Sequence, residues 1–169
     1  MLDRKLPGKL PESNLEMVDM SMGWFDLPAH YFSQLAGVEA VIAGYTGGKY
    51  GNPTFTNKVD HVEAIRVIYN ATVITYEEIL EHFLEQVGLP DSAKCRGEYR
   101  PSIFAHNDYQ FATATRFARI LERARSSAVP KIYTAMDFYR AEENLAKWPP
   151  LKFHDSEVSV RMKSYVRVA

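Results

Sequence analysis

Few residues in this chain of 169 are equipped for chemistry. There is one cysteine, Cys95, flanked by Lys94 and Arg96. The thiolate is the reactive form of cysteine, and neighbouring cations favour it. Read plainly, the same residue is an inert surface thiol. One cysteine excludes an internal disulfide framework, a cysteine zinc cluster and an internal dithiol redox pair. His61 and Glu63 lie two apart, so a strand would put both on one face, as in half of a metal site. No third ligand stands at matching spacing, and His30, His82, His106 and His154 show none either. No metal or cofactor is therefore expected, and a metal-assisted hydrolase is a minor alternative. Glu63 is either a buried acid held protonated for donation or a strand-end carboxylate paired with Arg66, Arg100 or another cation. Tyr99 and Tyr45 carry hydroxyls that either bind a polar oxygen or complete an ordinary buried ring. Asp26, two residues before Pro28, reads first as the N-cap of a short helix and second as a group for a cationic ligand.

These residues need elements to hold them. His61 to Tyr69 is a strand by its β-branched content. Its two faces, His61/Glu63/Ile65/Val67/Tyr69 and Val62/Ala64/Arg66/Ile68, are both largely apolar, which predicts a central position. Val38 to Tyr45 predicts a buried strand, and Gly47-Gly48 a turn. The helix at Asp26 presents Leu27, Tyr31, Phe32 and Leu35 and stops at Gly37. Thr75-Tyr76-Glu77-Glu78 is a capping box for a helix with Tyr76, Ile79, Leu80, Phe83, Leu84 and Val87 on one stripe. A loop over 88–98 leads to a short strand at Ser102 to Phe104. A longer helix runs from Asp108 to about Ser127 on a seam of Phe111, Ala114, Ala118 and Leu121. Ile132 to Met136 predicts a strand. Phe138 to Trp148 predicts a last helix, stopped by Pro149-Pro150. Glu157 to Val168 alternates as an added edge strand.

Strands and helices are interspersed without a regular βαβ run, so the class is α+β. Residues 1–19 are expected to be an extended lead-in on the surface, 20–148 the domain, and 149–169 a C-terminal extension. Composition fits one ordinary globular domain, at 46% hydrophobic and 24% charged residues. Twenty basic against twenty-one acidic residues leave a net charge of −1, which offers no bulk footprint for nucleic acid. No stretch approaches the roughly 18 apolar residues of a membrane helix. Met1 to Asp19 has no apolar h-region, which argues against a secretory signal. With a lone thiol, the expected compartment is the cytoplasm.

An ordered series of segments resembles the peptide methionine sulfoxide reductase A (MsrA) family. The segments are Gly44-Tyr45-Thr46-Gly47-Gly48, Asn52-Pro53-Thr54-Phe55 and His61 to Tyr69. They continue with Tyr76 to Phe83, Tyr99-Arg100-Pro101-Ser102-Ile103-Phe104 and Phe138 to Glu143. The resemblance covers about residues 20 to 148 and implies an α+β two-layer sandwich with a mixed sheet and flanking helices. It implies thiol-dependent reduction of methionine sulfoxide, free or in peptides, with thioredoxin as partner if the protein is active. The family's Gly-Cys-Phe-Trp becomes Gly23-Trp24-Phe25-Asp26 here, so Trp24 stands at the nucleophile's place. Phe25 keeps one wall of the methyl pocket and Asp26 replaces the other. Glu63 and Tyr99 match the oxygen-binding acid and one tyrosine; Phe55 matches the other tyrosine without its hydroxyl. Lys94 falls near a site aspartate, which puts Cys95 on a pocket loop as a possible relocated nucleophile. No tail cysteine remains to resolve a sulfenic acid. The expectation is a reductase-family protein that is inactive or strongly altered; the alternative is a small-ligand-binding module or pseudoenzyme using the retained pocket.

Overall fold

The computed structural model describes residues 4–6, 8, 14–87 and 101–142. Cys95, Tyr99, Lys94 and the alternating segment from Glu157 lie outside these residues. The described chain forms β1 (Leu15–Ser21), α1 (Asp26–Phe32), β2 (Val38–Thr46), β3 (Val62–Asn70) and α2 (Tyr76–Val87). It continues as β4 (Ser102–Ala105), α3 (Asp108–Arg123), β5 (Lys131–Thr134) and β6 (Tyr139–Arg140). The strands make one mixed sheet in the order β5-β4-β1-β3-β2-β6. β4 and β5 are parallel, joined across α3, and the other pairs are antiparallel. This is the α+β arrangement expected, and β3 is interior as its two apolar faces require.

Alternation along each strand separates two cores. On one face Val18, Met20, Ile65, Val67 and Tyr69 pack against Phe32 of α1, Ile79 and Phe83 of α2 and Ala114 of α3. On the other, Met17, Ala40, Ile42 and Ile68 are covered by Leu6 and Phe138. Each buried Leu, Ile or Phe contributes about 1.5–3 kcal/mol relative to exposure, so these two layers dominate stability. The capping box forms as predicted. The Glu78 backbone N–H donates to Thr75 Oγ at 3.2 Å, and the Thr75 N–H donates to the Glu78 carboxylate at 2.8 Å.

Four expectations are corrected. The surface lead-in ends early: Leu15 to Asp19 belong to β1, a buried strand between β4 and β3. Glu16 and Asp19 break its apolar run, and their partners are distant in sequence. In α1 Asp26 is the first helical residue, not the cap; Phe25 precedes it and no side chain caps the end. Leu27 is exposed while Pro28 and Phe32 are buried. α3 stops at Arg123 because Arg125 adopts a positive φ of 52°. Its buried seam is Gln110, Thr113, Ala114, Ala118 and Leu121, with Phe111 exposed.

The fourth correction is the helix expected from Phe138. Tyr139–Arg140 is instead the strand β6, paired with Gly44 and Tyr45 of β2. Its other side is held by the N-terminal segment: Leu6 N–H donates to Phe138 O at 2.9 Å, and Arg140 N–H to Arg4 O at 2.8 Å. Backbone pairing on both sides overrides a helical side-chain pattern. Gly44 makes the close approach possible, since a Cβ there would sit 2.2 Å from the Tyr139 carbonyl oxygen. Backbone cannot yield as a flexible side chain can. Gly44→Ala is expected to lower stability by about 1–3 kcal/mol. Urea denaturation measures it, and an unchanged midpoint would contradict the packing described.

Candidate functional site

Tyr45 of β2 pairs directly with Glu63 of β3, so their side chains are neighbours on the helix-bearing face. Both are buried. β1 leads into α1 through Gly23, whose φ of 96° only glycine adopts readily. The turn sends Phe25 inward and Trp24 outward: Phe25 is 4% exposed and Trp24 64%. The Phe25 ring meets Tyr45 edge-on, with centroids 6.0 Å apart and planes at 68°. The Phe25–Tyr45 pair thus stands beside the Glu63 carboxylate.

The loop before β3 closes over Glu63. Lys58 Nζ forms an ion pair with Glu63 Oε1. The same ammonium lies 5.1 Å from the centroid of the half-exposed Phe55 ring, within cation–π range. Among the described residues the cation paired with Glu63 is Lys58. Arg66 lies on the opposite face of β3 and pairs with Asp19 instead.

A second carboxylate joins from far along the chain. Glu142 Oε2 accepts the Tyr45 hydroxyl at 2.9 Å, and Oε1 accepts the Phe55 backbone N–H at 3.0 Å. Arg4 Nη1 lies 3.3 Å from Oε2. Burial alone would raise the Glu142 pKa; backbone N–H bonds, the Tyr45 hydroxyl and Arg4 outweigh it and hold the group below its ordinary value. For Tyr45 burial, the Glu142 bond and the charges of Glu142 and Glu63 all act upward, so its hydroxyl stays protonated as a donor. Tyr45 is more than a packing residue: it joins the Phe25 ring to the Glu142 carboxylate. Lys58 and Arg4 had no signal in the sequence, and Glu142 only its place in the family-like segment Phe138 to Glu143, because nothing in their local spacing marks a partner.

His61 does not reach a metal-like setting. Its ring is buried, edge-on to Tyr139 at 5.5 Å. Asp60 Oδ1 lies 3.2 Å from Nδ1 without a hydrogen bond, and among the described residues neither ring nitrogen has such a partner. Among the described residues no three His, Cys, Asp or Glu side chains gather as a metal site. Trp24, Phe25, Asp26, Phe55 and Glu63 are thus placed around the start of α1 and the β2–β3 ends. Cys95 and Tyr99 lie outside the described residues.

A family model described as peptide methionine sulfoxide reductase matches residues 18–165. The chain belongs to that family. A peptide methionine sulfoxide reductase MsrA of Listeria welshimeri is 33% identical over 145 residues, covering 79% of this chain and 82% of its own length. The MsrA/MsrB protein of Vibrio cholerae is 31% identical over 150 residues, covering 84% of this chain; this chain spans only 38% of that longer protein. The solved methionine sulfoxide reductase A of Corynebacterium diphtheriae superposes with a TM-score of 0.63 at 21% identity, over 79% of this chain and 73% of that one. At that identity the likeness establishes the fold. Among the described residues no helix is long and apolar enough to cross a membrane.

Proposed function

We propose that this member of the reductase family binds a ligand at the retained site and does not reduce methionine sulfoxide through a thiol. Trp24 carries this reading. It occupies the place of the family's attacking cysteine, and its indole cannot form a sulfenic acid. Three further features support it. Phe55 offers a ring where a hydroxyl would hold the leaving oxygen. Lys58 engages one oxygen of Glu63, the group that would deliver a proton. Asp26 sets a carboxylate where the second wall of the methyl pocket would be. Phe25 and Tyr45 still form the aromatic wall, so the ligand class is a small molecule or a peptide side chain of methionine type. Thioredoxin is a partner only of an active reductase and is not expected to act on this chain. A reducing, cytoplasmic setting suits a protein with one thiol.

The test is reduction of methionine sulfoxide by the purified full chain with dithiothreitol or thioredoxin. No turnover above the protein-free background is expected. Turnover abolished by Cys95→Ser would overturn the reading in favour of a relocated nucleophile. Turnover surviving that substitution would refute thiol chemistry altogether.

A further inference from the structure

α3 turns two different faces to its surroundings. Gln110, Thr113, Ala114, Ala118 and Leu121 are buried toward the sheet. The opposite face lines a groove of about 510 Å³, with Phe111 and Ile120 on its apolar side and Arg116, Arg119 and Arg123 as its charges. Phe111 is 41% exposed and Ile120 58%, so two large apolar side chains stand open to water beside three cations. From Phe111 to Arg123 the face runs about 18 Å along the helix.

The arginines stand at i, i+3 and i+7, one row on the helix surface. Arg116 lies 4.0 Å from Glu77 Oε1 of α2. Arg119 and Arg123 have no hydrogen bond or ion pair among the described residues. Like charges at this spacing work against the helix, so the row adds nothing to α3 itself. Guanidinium groups pair with carboxylates through parallel N–H donors. The complement of this face is therefore a row of carboxylates with apolar groups alongside, which an acidic amphipathic helix provides. Residues 88–100 and 143–169 of this chain each hold more basic than acidic residues, so neither offers that complement. A flat anionic bilayer suits the face poorly as well. The groove is concave, and the neighbouring α2 carries Glu77, Glu78 and Glu81.

We propose that the outer face of α3 docks an acidic amphipathic helix of a partner protein. Arg116, Arg119 and Arg123 take its carboxylates, and Phe111 and Ile120 pack under its apolar row. None of these residues belongs to the reductase-like site, so the proposal stands apart from what happens at Glu63.

The probe is a fluorescein-labelled peptide of about 14 residues, with Glu and Leu repeating at helical spacing, titrated with the full chain by anisotropy. A version with Gln for every Glu is the control. At about 50 mM salt the acidic peptide is expected to bind at least about tenfold more tightly than the control, and to lose about tenfold at about 500 mM. Arg119→Glu with Arg123→Glu should weaken binding at least about tenfold, and Ile120→Ser about threefold. Both changes fall on exposed positions, where folding tolerates them. No binding at about 100 μM, equal binding of the Gln peptide, or binding unchanged in the double variant would each overturn the proposal. Tighter binding to phosphatidylserine–phosphatidylcholine vesicles than to the peptide would overturn it in favour of a membrane. Sedimentation of the parent as a dimer that the double variant dissociates would overturn it in favour of a second copy of this chain.

Discussion

Replacing Arg66 with methionine is expected to cost about 3–5 kcal/mol of stability, the usual result of leaving one member of a buried ion pair behind. Asp19 and Arg66 are 0% and 1% exposed, and two short hydrogen bonds join them across the β1–β3 register. Methionine keeps much of the aliphatic stem, so a cavity is not the cause of the loss. What remains is a buried carboxylate with, among the described residues, His106 as its one polar side-chain partner. A domain of this size has about 5–15 kcal/mol in all, so the variant should unfold at much lower urea. Removing both charges, as Asp19→Leu with Arg66→Met, should recover part of the loss, because no ion then needs desolvating. A single variant within about 1 kcal/mol of the parent would show that the pair is not what holds β1 in place.

The same pair sets an acid limit. Burial would raise the Asp19 pKa, but the charge and hydrogen bonds of Arg66, helped by His106, outweigh it and lower the value below the ordinary 3.8. A depressed folded pKa contributes stability above the unfolded value and loses it as pH falls through the folded one. The acid limb of the parent's stability curve should therefore lie below pH 3.8 for this group. The Arg66→Met variant should lose that contribution and tolerate acid relatively better.

Trp24→Cys, made with Cys95→Ser so that it carries the only thiol, should give a slow reductase with dithiothreitol where the parent chain is expected to show no turnover. The new thiol would stand directly before the buried Phe25, whose ring meets Tyr45. It would meet no resolving cysteine, so thioredoxin should be a poor reductant. Adding Phe55→Tyr would supply a donor toward the leaving oxygen. Donors of that kind are worth about 10²–10³ in rate at full effect, and a gain of about tenfold is expected from one on a half-exposed ring. The readout is methionine formed per chain over time. If the thiol is alkylated readily yet reduces nothing, the surroundings block the reaction as well, with the Lys58–Glu63 pair the first suspect.

The parts of the fold that could be read from sequence are those whose cause is local. β3 shows its interior position through two apolar faces, and α2 shows its start through Thr75 and Glu78. β1 was hidden because Asp19 looks like a surface residue until Arg66 is placed opposite it. β6 was hidden because its side chains fit a helix while its backbone is claimed by β2 and by residues 4–6. The site divides in the same way. Phe25 and Glu63 are named through the family resemblance of short segments that hold them. Glu142 reaches Tyr45 across 97 residues of sequence, a partnership no local pattern encodes.

The backbone rail between residues 4–6 and 138–140 also bears on how the molecule comes together. Leu6 and Phe138 are 132 positions apart, so joining them closes almost the whole described chain into a ring. Closing so long a loop is entropically unfavourable until the intervening sheet has shortened it. The rail should therefore form after the nucleus of folding and contribute to the unfolding rate more than to the folding rate. It is also the natural place for partial opening. Because Arg4 lies against Glu142, fraying of residues 4–6 would loosen the Tyr45 end of the candidate site while β1, β3 and the helices stay folded.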